Sequence, residues 1–412
     1  MRRFCVRAAL AATLAAAVLP AVFAPVPAYA EGGMRPEVGK PLAKAKSLFQ
    51  AHRYGEAMAQ VRIAASQRGL TEGEQTVIEE LRGAIAQTSG DFPTAIHSFK
   101  YLLDSGKVPA SEQVRLWQAL ASMAYQTKQW PQAIAYTAAY FKAGGTDPDM
   151  RALPIQAYYQ QGDYASAARI QAAQIAQTIK AGRRPTEGQL QLLADCQRHD
   201  KDQAGFNATM VELVTYYPKL DYWENLIHDA QIRPGFSDRL NLDIQRFQLV
   251  LGLIAKPADY MEMTEVALQV PLPGEAKAII DQGYAKGVLG TGAEAPRQKR
   301  LADLVAKTYA DDLKLLPAQE RDASGDHDGN RLLTVGEEYV SYGQLDHGIS
   351  LMLTAMQKDQ LRHPEEAKLQ LGLAYLKSGQ KPVALKTLRS VGGNDGAADI
   401  AKLWVLYTTV NK

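Results

Sequence analysis

Gln129-Trp130-Pro131-Gln132-Ala133 is the stretch whose reading decides the fold, because an aromatic residue is followed three positions later by alanine and the spacing recurs. The same signature stands in Arg53-Tyr54-Gly55-Glu56-Ala57, Asp91-Phe92-Pro93-Thr94-Ala95 and Asp163-Tyr164-Ala165-Ser166-Ala167. The four alanines are 38, 38 and 34 residues apart. Gln344-Leu345-Asp346-His347-Gly348 and Gln380-Lys381-Pro382-Val383-Ala384 are later copies that have lost the aromatic. Upstream of each copy lies a small residue or its replacement, at Ala45, Gly83, Ala121, Ile155, Gly336 and Gly372, and glycine opens the turn at Gly90, Gly162, Gly343 and Gly379. A fixed period of this length marks a repeat architecture.

The spacing has a physical reading. Small residues in a first helix and at the signature alanine let two antiparallel helices approach closely. The aromatic then fills the wedge beside them, and glycine ends the first helix in the left-handed conformation at little steric cost. One such hairpin cannot bury its apolar face, so successive hairpins stack. The expected fold is all-α, a solenoid of antiparallel helical hairpins.

These positions resemble the tetratricopeptide repeat family, and Leu371-Gly372-Leu373-Ala374-Tyr375-Leu376-Lys377-Ser378-Gly379 matches its pattern closely. The resemblance covers residues 37–175 and 330–392, and the middle and C-terminal parts look like secreted proteobacterial repeat proteins of unassigned activity. Three units are longer than the family period. The family's chaperone-tail clamp needs Lys, Asn and Arg at positions held here by Leu42, Lys46, Leu81, Arg115 and Ala119, of which only Arg115 matches, so that clamp is not expected.

The first thirty residues read as a signal peptide. Arg2, Arg3 and Arg7 precede an apolar run from Ala8 to Phe23, and Ala28-Tyr29-Ala30 fits the cleavage pattern, with Glu31 beginning the mature chain. The run is short of the roughly twenty residues a spanning helix needs. Export to a bacterial periplasm is the expectation. Loss of those three arginines turns the formal net charge of +2 slightly negative, which argues against nucleic acid or an anionic membrane as a bulk-charge partner. Only Cys196 of the two cysteines would remain, so stability must come from a core and not from an intrachain disulfide.

Residues 31–218 are expected as N-terminal repeats, the last of them degenerate around Leu192-Leu193-Ala194, and residues 219–316 as a divergent helical block. Within that block, the run from Gly274 to Gly290 and residues 297–316 have helical periodicity. The Gly/Asp-rich segment Pro317 to Gly329 reads as a polar linker, and residues 330–412 as C-terminal repeats with a terminal helix.

Two constellations invite chemistry. Asp326, Asp328, Asn330, Thr334 and Glu337 have the oxygen-ligand spacing of a calcium-binding loop, although Arg331 stands where such a loop needs glycine. Cys196, Asp195 and His199 could form a nucleophile set on one helix, but no third partner or oxyanion turn accompanies them. No phosphate loop, serine elbow or paired-histidine zinc motif is present, so the chain is not expected to be an enzyme or to need a cofactor.

The resemblance implies that the first helix of each unit lines a binding groove. It places Arg115, Gln118, Ser122, Tyr125 and Gln126 on the third unit and Gln156, Tyr159 and Gln160 on the fourth; Gln191, Asp195 and Arg198 follow on the fifth. Amides and phenols of this kind hydrogen-bond peptide backbone or sugar hydroxyls. A scaffold that holds a protein or peptide partner during envelope assembly is the leading expectation; an envelope enzyme with its site in the middle block and a calcium-tuned binding module stand beside it. In the last helix Ile400, Leu403, Trp404 and Tyr407 form a packing stripe. Ala401, Val405 and Leu406 point away from it, so self-association through that helix is one expectation. The other is that the middle block folds back over it.

Overall fold

The computed structural model describes residues 34–358 and 361–411, and the expected signal peptide at residues 1–30 lies outside the described residues. The described residues form helices and turns with no strand. The chain divides into two compact units, with the division at Phe206/Asn207, ahead of the expected boundary after residue 218. In the first unit α1 (Pro36–Gln50) pairs with α2 (Tyr54–Ala65), α3 (Glu72–Ser89) with α4 (Phe92–Asp104) and α5 (Ala110–Gln126) with α6 (Trp130–Lys142). A short 3-10 turn at Pro148–Arg151 leads into α7 (Ala152–Gln160), which packs on α8 (Tyr164–Lys180), and α9 (Glu187–His199) packs on α8 in turn.

The repeat positions behave as their chemistry requires. Ala57, Ala95, Ala133 and Ala167 are all fully buried, as are Ala45 and Ala121 in the first helices of their hairpins. At Gly83 a Cβ would run into the Phe99 ring, so the α3–α4 approach depends on the missing methyl. The residue before each signature aromatic is the N-cap of the second helix, and Asp91 and Asp163 cap in full. Thr94 N donates to Asp91 Oδ1 at 3.3 Å and Ser166 N to Asp163 Oδ1 at 3.0 Å.

The turn position shows why the degenerate unit is still a repeat. Gly90, Gly162, Gly343 and Gly379 all adopt positive φ, and His52, Lys128 and Lys201 take the same place with φ near 60°. Each turn closes the same way. Asp91 N donates to Ala86 O at 2.8 Å, Gln129 N to Ala124 O at 2.8 Å, and Asp202 N to Gln197 O at 2.8 Å. Lys201 therefore marks the hairpin turn between α9 and α10 (Gln203–Tyr216), in a segment without the aromatic signature.

The second unit continues with α11 (Leu220–Ile232), α12 (Asn241–Val250), α13 (Pro257–Gln269), α14 (Pro273–Ala285), α15 (Ala295–Ser324), α16 (Asn330–Ser341), α17 (Leu345–Gln357), α18 (Pro364–Lys377), α19 (Lys381–Arg389) and α20 (Ala397–Val410). α13 pairs with α14, α16 with α17 and α18 with α19. At Gly348 a Cβ would collide with the carbonyl of Gly336, so the α16–α17 hairpin closes glycine on glycine.

Two expectations are corrected here. Residues 317–324 are not a linker: α15 runs through Pro317 to Ser324. Proline removes one helical hydrogen bond, but Leu316 and Ala323 on either side of it are fully buried against Leu332, Val335, Tyr339 and Ala355. Packing on α16 and α17 overrides the local breaker. Nor does α20 offer a bare apolar face. Ala401 is buried and Val405 and Leu406 are half-buried, and α11 and α12 fold back onto the helix beside α18 and α19. Phe247 of α12 meets Trp404 and Tyr407 edge-on at 5.1 and 5.9 Å between ring centroids.

Candidate binding face

In the first unit α5, α7 and α9 are the first helices of their hairpins, and side chains bridge from each to the next. Gln118 of α5 donates through Nε2 to Asp147 Oδ2, in the turn before α7, at 3.2 Å. Asp147 Oδ1 in turn accepts from Asp149 N at 2.9 Å, and Asp147 N donates to the Tyr140 hydroxyl oxygen at 2.9 Å. Tyr159 of α7 donates its hydroxyl to Asp195 Oδ2 of α9 at 2.7 Å.

Asp195 is the hub of this face. Its buried carboxylate pairs with Arg198 one turn on, and His199 Nε2 lies 3.7 Å from Oδ2. The His199 ring stacks on Tyr164 at 4.6 Å, and Tyr164 meets Tyr159 edge-on at 5.2 Å. Burial first, and then the bond to Asp195, push the Tyr159 phenol well above the usual tyrosine range. It remains a neutral donor at any physiological pH, and Arg198 and His199 stay half-exposed beside it.

The eight residues expected on the groove sort into three groups. Gln118 and Tyr159 are held in the helix-to-helix bridges just described. Arg115 pairs with Glu112 on its own helix at 3.1 Å, and Tyr125 is half-buried with its ring edge-on to Trp130 at 5.2 Å. Ser122, Gln126, Gln156 and Gln160 make no side-chain hydrogen bond among the described residues, and Gln126 and Gln160 are exposed at the ends of α5 and α7. What sequence reasoning missed is the stacking of Tyr164 on His199 and the part played by Asp147. The only available signal was their turn and helix-end positions.

The two chemical constellations come apart. Cys196 points into the core with Ile155 and Ala167, and burial pushes its thiol up to about 12, so a thiolate is suppressed where the nucleophile reading needs one. Asp195 is engaged with Tyr159 and Arg198. In the calcium-type segment, Asp326 Oδ2 pairs with Arg331 at 3.0 Å, the residue standing in the glycine position. Asp328 Oδ1 caps α16 by accepting from Asn330 N at 2.9 Å. Glu337 lies inside α16, within electrostatic reach of Arg246, Asp243, Glu366 and Glu275. Among the described residues no three His, Cys, Asp or Glu side chains converge to hold a metal ion.

Stacked hairpins with a first-helix wall of amides and phenols define a tetratricopeptide-like α-solenoid. No family model and no curated protein matches the chain. Among solved structures it is similar to a chain in the structure of Naa15/Naa10 bound to HypK-THB, at 14% identity and a TM-score of 0.34, covering 87% of this chain and 59% of that one. It thus spans less than two thirds of that relative. It is also similar to the yeast Tom70 crystal structure, at 11% identity and a TM-score of 0.21, covering 91% of this chain and 96% of that one. Among the described residues no helix is long and apolar enough to cross a membrane.

Proposed function

We propose that this chain is an exported scaffold that docks an extended segment of a partner protein across α5, α7 and α9, in a bacterial periplasm. The observation that carries the docking reading is the contrast on that face. Tyr159, Asp195 and Gln118 are locked into bridges that fix the spacing of the helices, whereas Ser122, Gln126, Gln156 and Gln160 keep donors and acceptors unspent. The bridges fix the helix spacing before a partner arrives, so only the free side chains have to be ordered on binding, which limits the entropy lost. The export reading rests on the charge, apolar run and small-residue pattern of residues 1–30.

The test is crosslinking capture from the periplasm with wild type and with Ser122, Gln126, Gln156 and Gln160 all changed to Ala. These four changes leave the bridges intact, so helicity should persist. Loss of one stoichiometric protein partner in the variant supports docking here. Equal capture by both places the partner elsewhere.

A further inference from the structure

The second unit carries a different surface, already occupied. α14, α16, α18 and α20 each pack on the next in sequence order. The wall they form is acidic and aromatic, with Glu275 on α14, Glu337 on α16, Glu366 on α18, and Trp404 and Tyr407 on α20. Lys377 offsets part of that charge and donates to Val340 O at 2.9 Å. Against this wall lies α12. Arg246 makes a two-pronged contact with Glu275, Nε to Oε1 at 2.7 Å and Nη2 to Oε2 at 2.5 Å, and reaches Gln370 Oε1 of α18 at 2.9 Å. The next residue, Phe247, is fully buried between Trp223, Trp404 and Tyr407.

The seat is imperfect. Trp404 Nε1 and Gln245 Oε1 are buried without a hydrogen-bond partner among the described residues, one on α20 and the other on α12. Buried orphans of this kind oppose the packed state. Asp243 of α12 is buried too, and its carboxylate is satisfied by Arg246 of its own helix at 2.7 Å and by Gln370 at 2.8 Å. Buried ion pairs add little net stability because desolvation offsets their attraction. The loop before α12 is fastened at the rim, where Arg239 pairs with Glu366 and Asp395 at 3.2 Å each and Arg233 pairs with Asp399 at 2.8 Å. Half-exposed pairs of this type are individually weak.

We propose that the wall of α14, α16, α18 and α20 is a docking surface for a helical segment bearing an arginine followed by an aromatic residue, and that α12 occupies it in cis as a displaceable ligand. A partner segment with that pair would replace Arg246 on Glu275 and Phe247 between Trp404 and Tyr407. Its polar groups would have access to Trp404 Nε1, and Gln245 would leave the seat with α12 and return to water. The first unit's face plays no part in this proposal.

The experiment uses the full chain and a labelled synthetic peptide of residues 238–251, read by fluorescence anisotropy. When the cis ligand is weakened by Arg246→Ala with Phe247→Ala, the peptide should bind at least about tenfold tighter than it binds wild type, because apparent affinity scales with the fraction of open wall. The same peptide carrying Arg246→Glu should not bind. Equal affinity for wild type and variant, or binding to neither, overturns the proposal. If circular dichroism shows the double variant unfolded, Arg239→Glu takes its place, since it cuts only the rim pairs. It should tighten peptide binding by a smaller factor, and no gain there equally overturns the proposal.

Discussion

The Tyr159 hydroxyl of α7 donates to the Asp195 carboxylate of α9 over 2.7 Å, and this bond joins the first helices of two successive repeats. A hydrogen bond to a charged, largely buried acceptor contributes more than a neutral one. Tyr159→Phe removes only the donor and leaves Asp195 its Arg198 partner. It should destabilise the chain by about 1–2 kcal/mol in urea unfolding. A shift within error would mean that the two helices are spaced by packing alone.

Lys128 holds a left-handed turn that Gly90 holds without a side chain one hairpin earlier. The two residues should therefore respond oppositely to substitution. Lys128→Gly is expected to raise stability by up to about 1 kcal/mol, and Gly90→Ala to lower it by a similar amount or more. Thermal unfolding of both variants checks the pair. Destabilisation by Lys128→Gly would show that the lysine side chain does more than tolerate its φ.

Glu337 gives the second unit a pH dependence. Withdrawal from water, with the carboxylates of Asp243, Glu366 and Glu275 nearby, outweighs the attraction of Arg246 and raises its carboxyl from 4.5 to about 8. The folded chain therefore keeps a proton that the unfolded chain releases. The stabilisation is fully present below pH 4.5 and is lost as pH rises through about 8. Glu338, raised to about 7 chiefly by burial, acts in the same direction. Glu337→Gln should flatten the fall in unfolding midpoint across this window, and an unchanged slope would exonerate Glu337.

Export makes a prediction at the N-terminus. Protein released by osmotic shock should begin at Glu31 when sequenced by mass spectrometry. An intact Met1 in the membrane fraction would show that the segment is an anchor.

The hairpins were legible because small-residue positions constrain helix approach through local spacing, and Ala57, Ala95, Ala133 and Ala167 are buried in every case. Pro317 misled because a breaker acts locally, while Leu316 and Ala323 bury against helices that come later in the chain. The seat of α12 was invisible for a related reason. Arg246 meets Gln370 across 124 positions of sequence, and no periodicity encodes such a pairing. On the candidate face the residues came from the family resemblance, which places the first helix of each unit on a groove. Which of them are spent on bridges could not be read that way, because that depends on Asp147 and Asp195 arriving from other elements.

Docking on α5, α7 and α9 is tested most directly by placing a photo-crosslinking side chain at single positions of the full-length chain in its native cells. Gln126 and Gln160 report the face, and Ile63 on α2 and Ile179 on α8, both exposed on second helices, serve as controls. The expected result is one protein adduct, the same from positions 126 and 160, and none from 63 or 179. Adducts of equal yield from the control positions, or none from 126 and 160, would contradict docking on this face.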